Sequence, residues 1–447
     1  MRFIPHTPSE VQHMLEVIGA PDVESLFQSI PEPLRLGRAL DLTPAVGEQQ
    51  LSDELTALAE ANTNAATHDW FLGAGTYPHF IPAAIDSLAS RAEFLTAYTP
   101  YQPEISQGTL QAIFEWQTMI SSLVGLEVAN ASMYDGASAS AEAALMAMRL
   151  TRRSKLVVAH GMHPHFLEVL RTYVGGLGAE VRVAKASASG LSTPLDALVD
   201  DATACVLVQR PNFYGCIEDL EPLAELAHAR GALLVTVVGE ALSLALLQPP
   251  GAAGADIVCG EAQSFGVPMS FGGPHLGFLA TGKKQLRQLP GRLVGQTVDS
   301  HKRRGFVLTL ATREQHIRRE RATSNICTNQ GLCLLMATIY LSLMGRSGLR
   351  KLAELNLAKA EFAKARVRET PGLELVHAAP SFNEFAVRVP DSAQAALARA
   401  LAAGCVGGLD LAPYAPELGN AVLVCTTELA TREAIERLVS SLAANPT

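Results

Sequence analysis

The residues with the clearest potential for chemistry lie in one stretch, positions 231–277, where polar side chains follow two apolar segments. The first segment, 232–238, is predicted to be a buried strand and is followed by the carboxylate of Glu240. The second, 255–259, is predicted to be another strand and leads into a loop rich in Gly and Pro that contains Gln263. An acid after one strand and a small-residue loop after the next are typical of a pocket for an organic cofactor.

The pattern is that of a pyridoxal phosphate (PLP) site without its lysine. In enzymes with the fold of aspartate aminotransferase, the acid pairs with the pyridine nitrogen, and a lysine roughly two dozen residues later forms a Schiff base. This chain has no lysine between positions 186 and 282, and Gln263 stands where the amine is expected. The sequence therefore predicts a vestigial pocket in which Glu240 and Gln263 remain and no cofactor is bound covalently.

Three other residues belong to the expected pocket. Gly136 and Ser138 lie at the start of a helix of small residues, where backbone amides can hold a phosphate. The alternative is that these small residues let the helix approach a neighbouring chain. His163 begins a helix after a strand, where the ring-stacking residue of this fold lies. No metal site is expected, because His163 and His165 have only Glu168 near them in sequence.

Further candidate residues lie in loops outside this stretch. Tyr98 and Tyr101 belong to a loop fixed by prolines, and they are either core aromatics or the wall of an active site shared across a subunit interface. His79 is either a site residue or a packing residue. Thr323 and Asn325 follow the arginine-rich segment 312–321, which either is a solvated face or lines the path to a shared site.

The composition excludes several classes of function. Of the 447 residues, 48% are hydrophobic and 18% charged, which favours a compact α/β protein over a disordered one. The net charge of -9 argues against nucleic acid or an anionic membrane as a partner. The seven cysteines form no CxxC pair, which favours a reducing compartment. No apolar run reaches the roughly 18 residues of a membrane span, so we expect a soluble, cytoplasmic protein.

Alternating strand and helix patterns predict an α/β fold with a mostly parallel sheet. We expect an N-terminal helical arm over 1–62, a large domain over 63–330 and a small α/β domain over 331–447. The arm begins with a capping box of Thr7 and Glu10, and Asp22 and Ser52 are predicted to be further caps. Helices are predicted from position 194, over 331–344 and over 348–368.

Five motifs in order carry a resemblance that spans the whole chain. They are FLGAG at 71–75, TPYQPEISQGT at 99–109, YDGA at 134–137, the run from Gln263 to SFGGP at 270–274, and TREQHIRRE with ATSNICTNQ over 312–330. Together they resemble the P-protein of the glycine cleavage system, and within it the separately encoded alpha subunit.

The resemblance implies a fold type I, PLP-dependent aminotransferase-like large domain and a glycine dehydrogenase (aminomethyl-transferring, decarboxylating) activity. It further implies an alpha2beta2 heterotetramer in which the beta subunit holds PLP, which takes up the electrons released when glycine loses CO2. The lipoyl group of H-protein would then accept the aminomethyl group, and the isolated chain would be inactive. Relatives tend to have Asp where this chain has Glu240.

Two other functions stay open at this point. The chain could be an independent PLP enzyme that uses a distant lysine, or a scaffolding pseudoenzyme. A PLP absorption band on the isolated chain would favour the first, and an active beta subunit without this chain would favour the second.

Overall fold

The computed structural model describes residues 6–96 and 98–443. The chain forms two compact units that divide between Thr63 and Asn64. The predicted domain boundary at 330/331 lies inside the second unit and stays a prediction.

The first unit consists of two helices, Pro8–Ile18 and Glu48–Glu60, with short 3-10 turns at Glu24–Phe27 and Glu32–Leu34. The predicted capping box is confirmed, because Thr7 accepts from the Glu10 amide while the Glu10 carboxylate accepts from the Thr7 amide. Asp22 accepts from the amide of Ser25 at 2.7 Å, although the N-cap residue of the turn Glu24–Phe27 is Val23. The prediction for Ser52 was wrong, since the second helix begins at Glu48 and Ser52 lies inside it.

A seven-stranded sheet forms the centre of the second unit. Five neighbouring strands are parallel, and Gly277–Thr281 lies antiparallel to the edge of this group. The central strands are rich in Val, Leu and Ile and buried on both faces, which is typical of a sheet covered by helices on both sides, whereas the edge strand Glu180–Val183 is largely exposed. In spatial order they are Val128–Ala129, Gly277–Thr281, Ile257–Glu261, Leu233–Val238, Thr203–Gln209, Lys155–Val158 and Glu180–Val183.

Helices and a hairpin surround the sheet. The predicted helix from position 194 is absent: the segment makes a single i to i−4 bond, from the Val199 amide to the Leu195 carbonyl, before it turns into the next strand. The α-helices of this region are Ala83–Ala89, Ala92–Leu95, Gln107–Val124, Gly136–Thr151, Pro164–Gly175, Leu220–Ala229 and Gln315–Arg318, and the hairpin pairs Leu293–Val298 with Arg304–Thr309.

The helix Gly331–Glu369 leads from the large sheet to the C-terminal region. The two predicted helices form this one element, interrupted at Gly345, whose φ of 58° breaks the helical backbone. It is the one helix in the described ranges that is long and apolar enough to cross a membrane. Its first half packs Cys333, Leu334 and Tyr340 into the core of the large sheet, as expected for a core helix.

The C-terminal region contains a four-stranded antiparallel sheet with two helices. Its strands are, in order, Glu374–Leu375, Glu384–Arg388, Ala421–Cys425 and Leu409–Asp410, and its helices are Ala393–Ala402 and Arg432–Leu442. A short parallel pair, Asp69–Trp70 with Cys405–Val406, ties the start of this unit to the same region.

A buried histidine connects the two sheets. The His79 ring lies 3.3 Å from the carboxylate of Glu240, which follows a strand of the central sheet, and 2.8 Å from that of Glu428, which follows a strand of the C-terminal sheet. The side chains of all three residues are at most 7% exposed. Burial alone would lower the pKa of His79, but the two carboxylates hold it well above the ordinary value.

Glu428 is the more strongly bound of the two carboxylates. Its other partners are the Phe80 amide at 2.6 Å and the Asn356 side-chain amide at 3.0 Å. Burial would raise the pKa of this carboxyl, but the charged His79 ring and these donors keep it well below its ordinary value. The three groups therefore form a charged triad inside the protein.

Replacing His79 by Gln should destabilise the fold, because Glu240 and Glu428 would then share a buried site without a cation. We expect a loss of about 3 to 5 kcal/mol in the free energy of unfolding. Since the pKa of His79 is higher in the folded than in the unfolded chain, its contribution is complete below about pH 6.5 and decreases as the pH rises. The loss should therefore be larger at pH 6 than at pH 9, as measured by urea unfolding.

His228→Gln is the matched control. His228 pairs with Asp256 at 2.9 Å, but its side chain is 45% exposed, so we expect a loss below about 1 kcal/mol. A loss for His79→Gln that is small, or that does not change with pH, would contradict a charged triad.

Candidate functional site

Gln263 lies after the strand Ile257–Glu261 and uses its whole amide group within the chain. Its Oε1 accepts from the Tyr77 amide at 2.9 Å, and its Nε2 donates to the Tyr77 carbonyl at 3.1 Å and to the Val267 carbonyl at 2.7 Å. The side chain is buried. Gln263 thus fastens the FLGAG-to-His79 segment to the sheet and presents no reactive group.

Glu240 is also bound by the chain itself. One carboxylate oxygen accepts from the Leu242 amide at 2.8 Å, and the other lies against His79, with the Asn383 side-chain nitrogen at 3.5 Å. Both oxygens of the carboxylate that the sequence predicts to bind the pyridine nitrogen therefore have partners within the chain.

The N-terminus of the helix Gly136–Thr151 has two carboxylate partners from this chain. Asp135 caps the helix by accepting from the Ser138 amide at 2.6 Å. Glu261, at the end of a central strand, accepts from the Gly136 amide at 2.9 Å. A Cβ on Gly136 would lie 2.8 Å from the Phe166 ring and 3.0 Å from the side chain of Glu261, so glycine leaves the room that both neighbours need. Neither sequence interpretation foresaw that carboxylates of the chain would take the place of a phosphate.

His163 is a buried neutral residue. Its Nε2 donates to the Ala74 carbonyl at 3.0 Å and its Nδ1 accepts from the His165 amide at 3.2 Å. Burial lowers its pKa to about 4. The ring packs against Phe166 and Phe213, with centroids 4.9 and 5.0 Å away. The ring therefore stacks on Phe166 and makes an edge contact with Phe213.

A further buried carboxyl closes the pocket from the C-terminal sheet. Glu384 accepts from the Tyr77 hydroxyl at 2.7 Å and from the Ala74 amide at 2.7 Å. Burial raises the pKa of Glu384 to about 7, although both hydrogen bonds oppose the shift. The sequence interpretation missed this residue, because nothing nearby marks Glu384 as different from an ordinary strand residue.

The residues of this pocket do not fit a bound PLP. Gln263 stands at the predicted amine position, and the predicted ring acid Glu240 and the amide of Gly136 both have partners from the chain. Among the described lysines, Lys364 is buried but donates to Ser381 and pairs with Glu361. The structure thus brings Gln263, Glu240 and His79 together as a closed polar core.

The tyrosine loop belongs to a second group of residues. Tyr98 is 80% and Tyr101 56% exposed, so the interpretation of both as core aromatics was wrong. The Tyr101 hydroxyl accepts from the Arg292 guanidinium at 2.9 Å, which also donates to Thr99 at 3.2 Å and to the Cys327 carbonyl at 2.8 Å.

Arg292 is the central residue of this second group, and the sequence interpretation missed it. It is only 3% exposed, donates to Thr328 at 3.0 Å, and lies 3.5 Å from the carboxylate of Glu314. It therefore joins the two motifs at 99–109 and 312–330, which are far apart in sequence. A single arginine beside a hairpin strand carries no sequence signal of this role.

Thr323 and Asn325 lie on the same segment but do not bond to Arg292. The Thr323 amide donates to the Arg313 carbonyl at 3.1 Å, and Asn325 is exposed. In the arginine-rich segment, Arg318, Arg319 and Arg321 are exposed whereas Arg313 is buried. The end of the segment is therefore exposed to solvent, whereas its start is buried.

Comparison with known proteins identifies the family. The model of the "Glycine cleavage system P-protein" family matches residues 1–442. The chain is 53% identical to the "Probable glycine dehydrogenase (decarboxylating) subunit 1" of Anaeromyxobacter dehalogenans, over 98% of each chain. It is 51% identical to the protein of the same name in Desulforamulus reducens, over 99% of this chain and 100% of that protein.

Solved structures agree with these relatives. A crystal structure of glycine decarboxylase (P-protein) in inhibitor-bound form matches with a TM-score of 0.89 and 46% identity, over 99% of both chains. A sphingosine-1-phosphate lyase of Burkholderia pseudomallei matches with a TM-score of 0.64 and 18% identity, over 90% of this chain and 92% of that one, which shows the fold alone. The predicted fold type I architecture is confirmed, and the chain belongs to the glycine cleavage system P-protein family.

Proposed function

We propose that this chain is the subunit of a cytoplasmic glycine decarboxylase that has no covalently bound PLP. In this proposal a beta subunit carries the cofactor in an alpha2beta2 heterotetramer, and lipoylated H-protein accepts the aminomethyl group. The curated relatives are named subunit 1 of glycine dehydrogenase (decarboxylating), which supports the reaction and a complex of more than one kind of chain.

One observation carries the assignment of PLP to the partner. Both polar atoms of the Gln263 amide are bonded to the Tyr77 backbone, so the residue at the lysine position serves to hold the chain together. A subunit that keeps the fold but seals its own pocket fits a complex in which the reaction takes place on another chain.

The purified chain should retain no pyridoxyl group after incubation with PLP and borohydride. A Gln263→Lys variant should not gain one either, because Glu261 and His79 still occupy the phosphate and ring-acid positions. The measurement is mass spectrometry of peptides after digestion. The co-purified beta subunit, labelled in the same reaction, is the control, and a pyridoxyl-lysine peptide from this chain would support the independent-enzyme alternative.

We also propose that the tyrosine loop forms a wall of the partner's active site. Tyr98 and Tyr101 are exposed in this chain, and prolines restrict the backbone between and after them, so little entropy is lost when a partner covers them. Arg292 fixes the Tyr101 hydroxyl. A fixed phenol of this kind could bind the carboxylate of glycine and orient the bond that breaks.

Tyr101→Phe should lower the exchange of CO2 into glycine by the reconstituted complex roughly ten- to a hundredfold, the effect of one hydrogen bond to a charged group. Tyr98→Phe should lower the same rate. The PLP content and the thermal midpoint should stay unchanged, which separates this role from loss of structure. Tyr173→Phe, a half-exposed tyrosine outside the loop, is the control. Wild-type exchange in both loop variants would favour the scaffolding function.

The N-terminal unit is proposed to be an arm that binds the partner subunit. In its described part only Leu15 is buried, while Leu36, Leu40 and Leu42 are 53, 67 and 72% exposed. Apolar side chains exposed in such number mark a surface for protein contact.

Replacing Leu36, Leu40 and Leu42 together by Ser should weaken assembly with the beta subunit, because the apolar area that the partner would cover is lost. The readout is the mass of the co-expressed complex by light scattering at decreasing concentration. Leu401→Ser changes a leucine of the second unit that is 46% exposed and should have no effect. A triple variant that assembles like the wild type would show that the arm does not bind the partner.

A further inference from the structure

A cavity lined by arginines lies outside the sealed pocket. Its volume is 330 Å³, and its walls come from three elements: the helix Gly136–Thr151, the turn Lys283–Gln288 and the segment that follows the hairpin. The polar side chains that matter are Arg149, Arg287, Arg313, Arg318, Arg321 and Thr323. Thr323 was singled out in the sequence, but the proposed decarboxylation does not use this cavity.

One of the arginines holds the cavity together. Arg313 is buried and donates to the carbonyls of Leu289, Leu310 and Gly291, the last at 3.0 Å. These bonds fix the arginine-rich segment to the turn before the hairpin. The arginine-rich segment, with Arg318 and Arg321, is therefore held against the turn that carries Arg287.

The other four arginines of the cavity have few partners within the described chain. Arg149 donates only to the Gln288 carbonyl at 3.3 Å, and its buried Nε has no hydrogen-bond partner. Arg287 and Arg318 are exposed and form no ion pair with another described residue. Arg321 lies 3.7 Å from Glu320, a loose and exposed pair. The chain therefore satisfies the hydrogen-bonding capacity of these guanidinium groups only in part.

Besides Glu320, two further carboxyl groups lie near this cluster but do not neutralise it. Glu314 acts on Arg313, although it also pairs with Arg292. Glu142 acts on Arg149, but burial raises the pKa of Glu142 to about 7, so its charge is incomplete at neutral pH. None of the residues that line the cavity is acidic among those the structure describes. The cavity is therefore strongly positive in a chain whose net charge is -9.

The size and charge of the cavity define its ligand. Its volume lies at the lower end of the range for small-molecule sites. A single carboxylate would leave most of the four cations without a counter-charge, whereas guanidinium groups bind phosphate oxygens in pairs. We propose that this cavity is a binding site for a small molecule that carries a phosphate or pyrophosphate group.

The test uses sodium pyrophosphate and the full-length chain, with calorimetry at constant ionic strength. The wild type should bind, and Arg318→Gln should weaken binding roughly ten- to a hundredfold, because one charged hydrogen-bond donor is lost. Arg287→Gln, on a different element, should do the same. Thermal midpoints of both variants should equal that of the wild type, since neither side chain is buried.

Arg319→Gln is the matched control, because it removes the same charge from the next residue, which does not line the cavity. It should change the affinity by less than about twofold, since salt screens exposed charges at a distance. The proposed site would be contradicted if the wild type did not bind pyrophosphate, or if Arg318→Gln and Arg319→Gln weakened binding equally. Citrate is the second probe: binding as tight as that of pyrophosphate would overturn the assignment to phosphate.

Discussion

The structure depends on the requirement that a buried charge be neutralised. Glu240 and Glu428 come from two different sheets, and without a cation between them their repulsion would separate the regions that carry them. His79 supplies that cation, and its backbone position is fixed by Gln263 through Tyr77, two residues earlier. The large sheet, the C-terminal sheet and the segment between FLGAG and His79 are therefore held in one arrangement by a single set of polar contacts.

The same rule explains how a cofactor pocket can be closed without collapse. Protein groups that bind the phosphate, the ring and the Schiff base of a cofactor are polar. When the cofactor is absent, they cannot remain buried without other partners. Here the helix amide of Gly136 has Glu261, the acid Glu240 has His79, and the amide of Gln263 has backbone atoms. Each replacement is polar, so the fold keeps the shape of a PLP-dependent enzyme although its centre is filled with side chains.

Most strands and helix ends around this site could be predicted from the sequence, because they depend on residues that are close together in the chain. Strand positions follow from apolar segments buried on both faces, and the cap at Thr7 follows from residue types three positions apart. Gln263 and Glu240, the two residues of the predicted pocket, bond to Tyr77 and His79 of one short segment. The helix expected from position 194 failed because the link is too short, with one helical bond before the next strand.

The residues that the sequence could not reveal are those whose partners lie far along the chain. Glu384 meets Tyr77 across more than three hundred residues, and Arg292 joins Tyr101 to Cys327. Burial of such groups is a property of the packed structure, and a lone Glu or Arg in a strand pattern looks like an ordinary surface residue.

A pocket sealed by side chains differs from a pocket filled by a ligand in how its stability depends on conditions. A bound cofactor stabilises a fold in proportion to the logarithm of its concentration relative to the dissociation constant, so its contribution disappears when the cofactor is scarce. The bonds of Gln263 and the His79 triad are present in the chain at every cofactor concentration. If a partner subunit holds PLP, as we propose, the contacts that close this pocket do not depend on the presence of that cofactor.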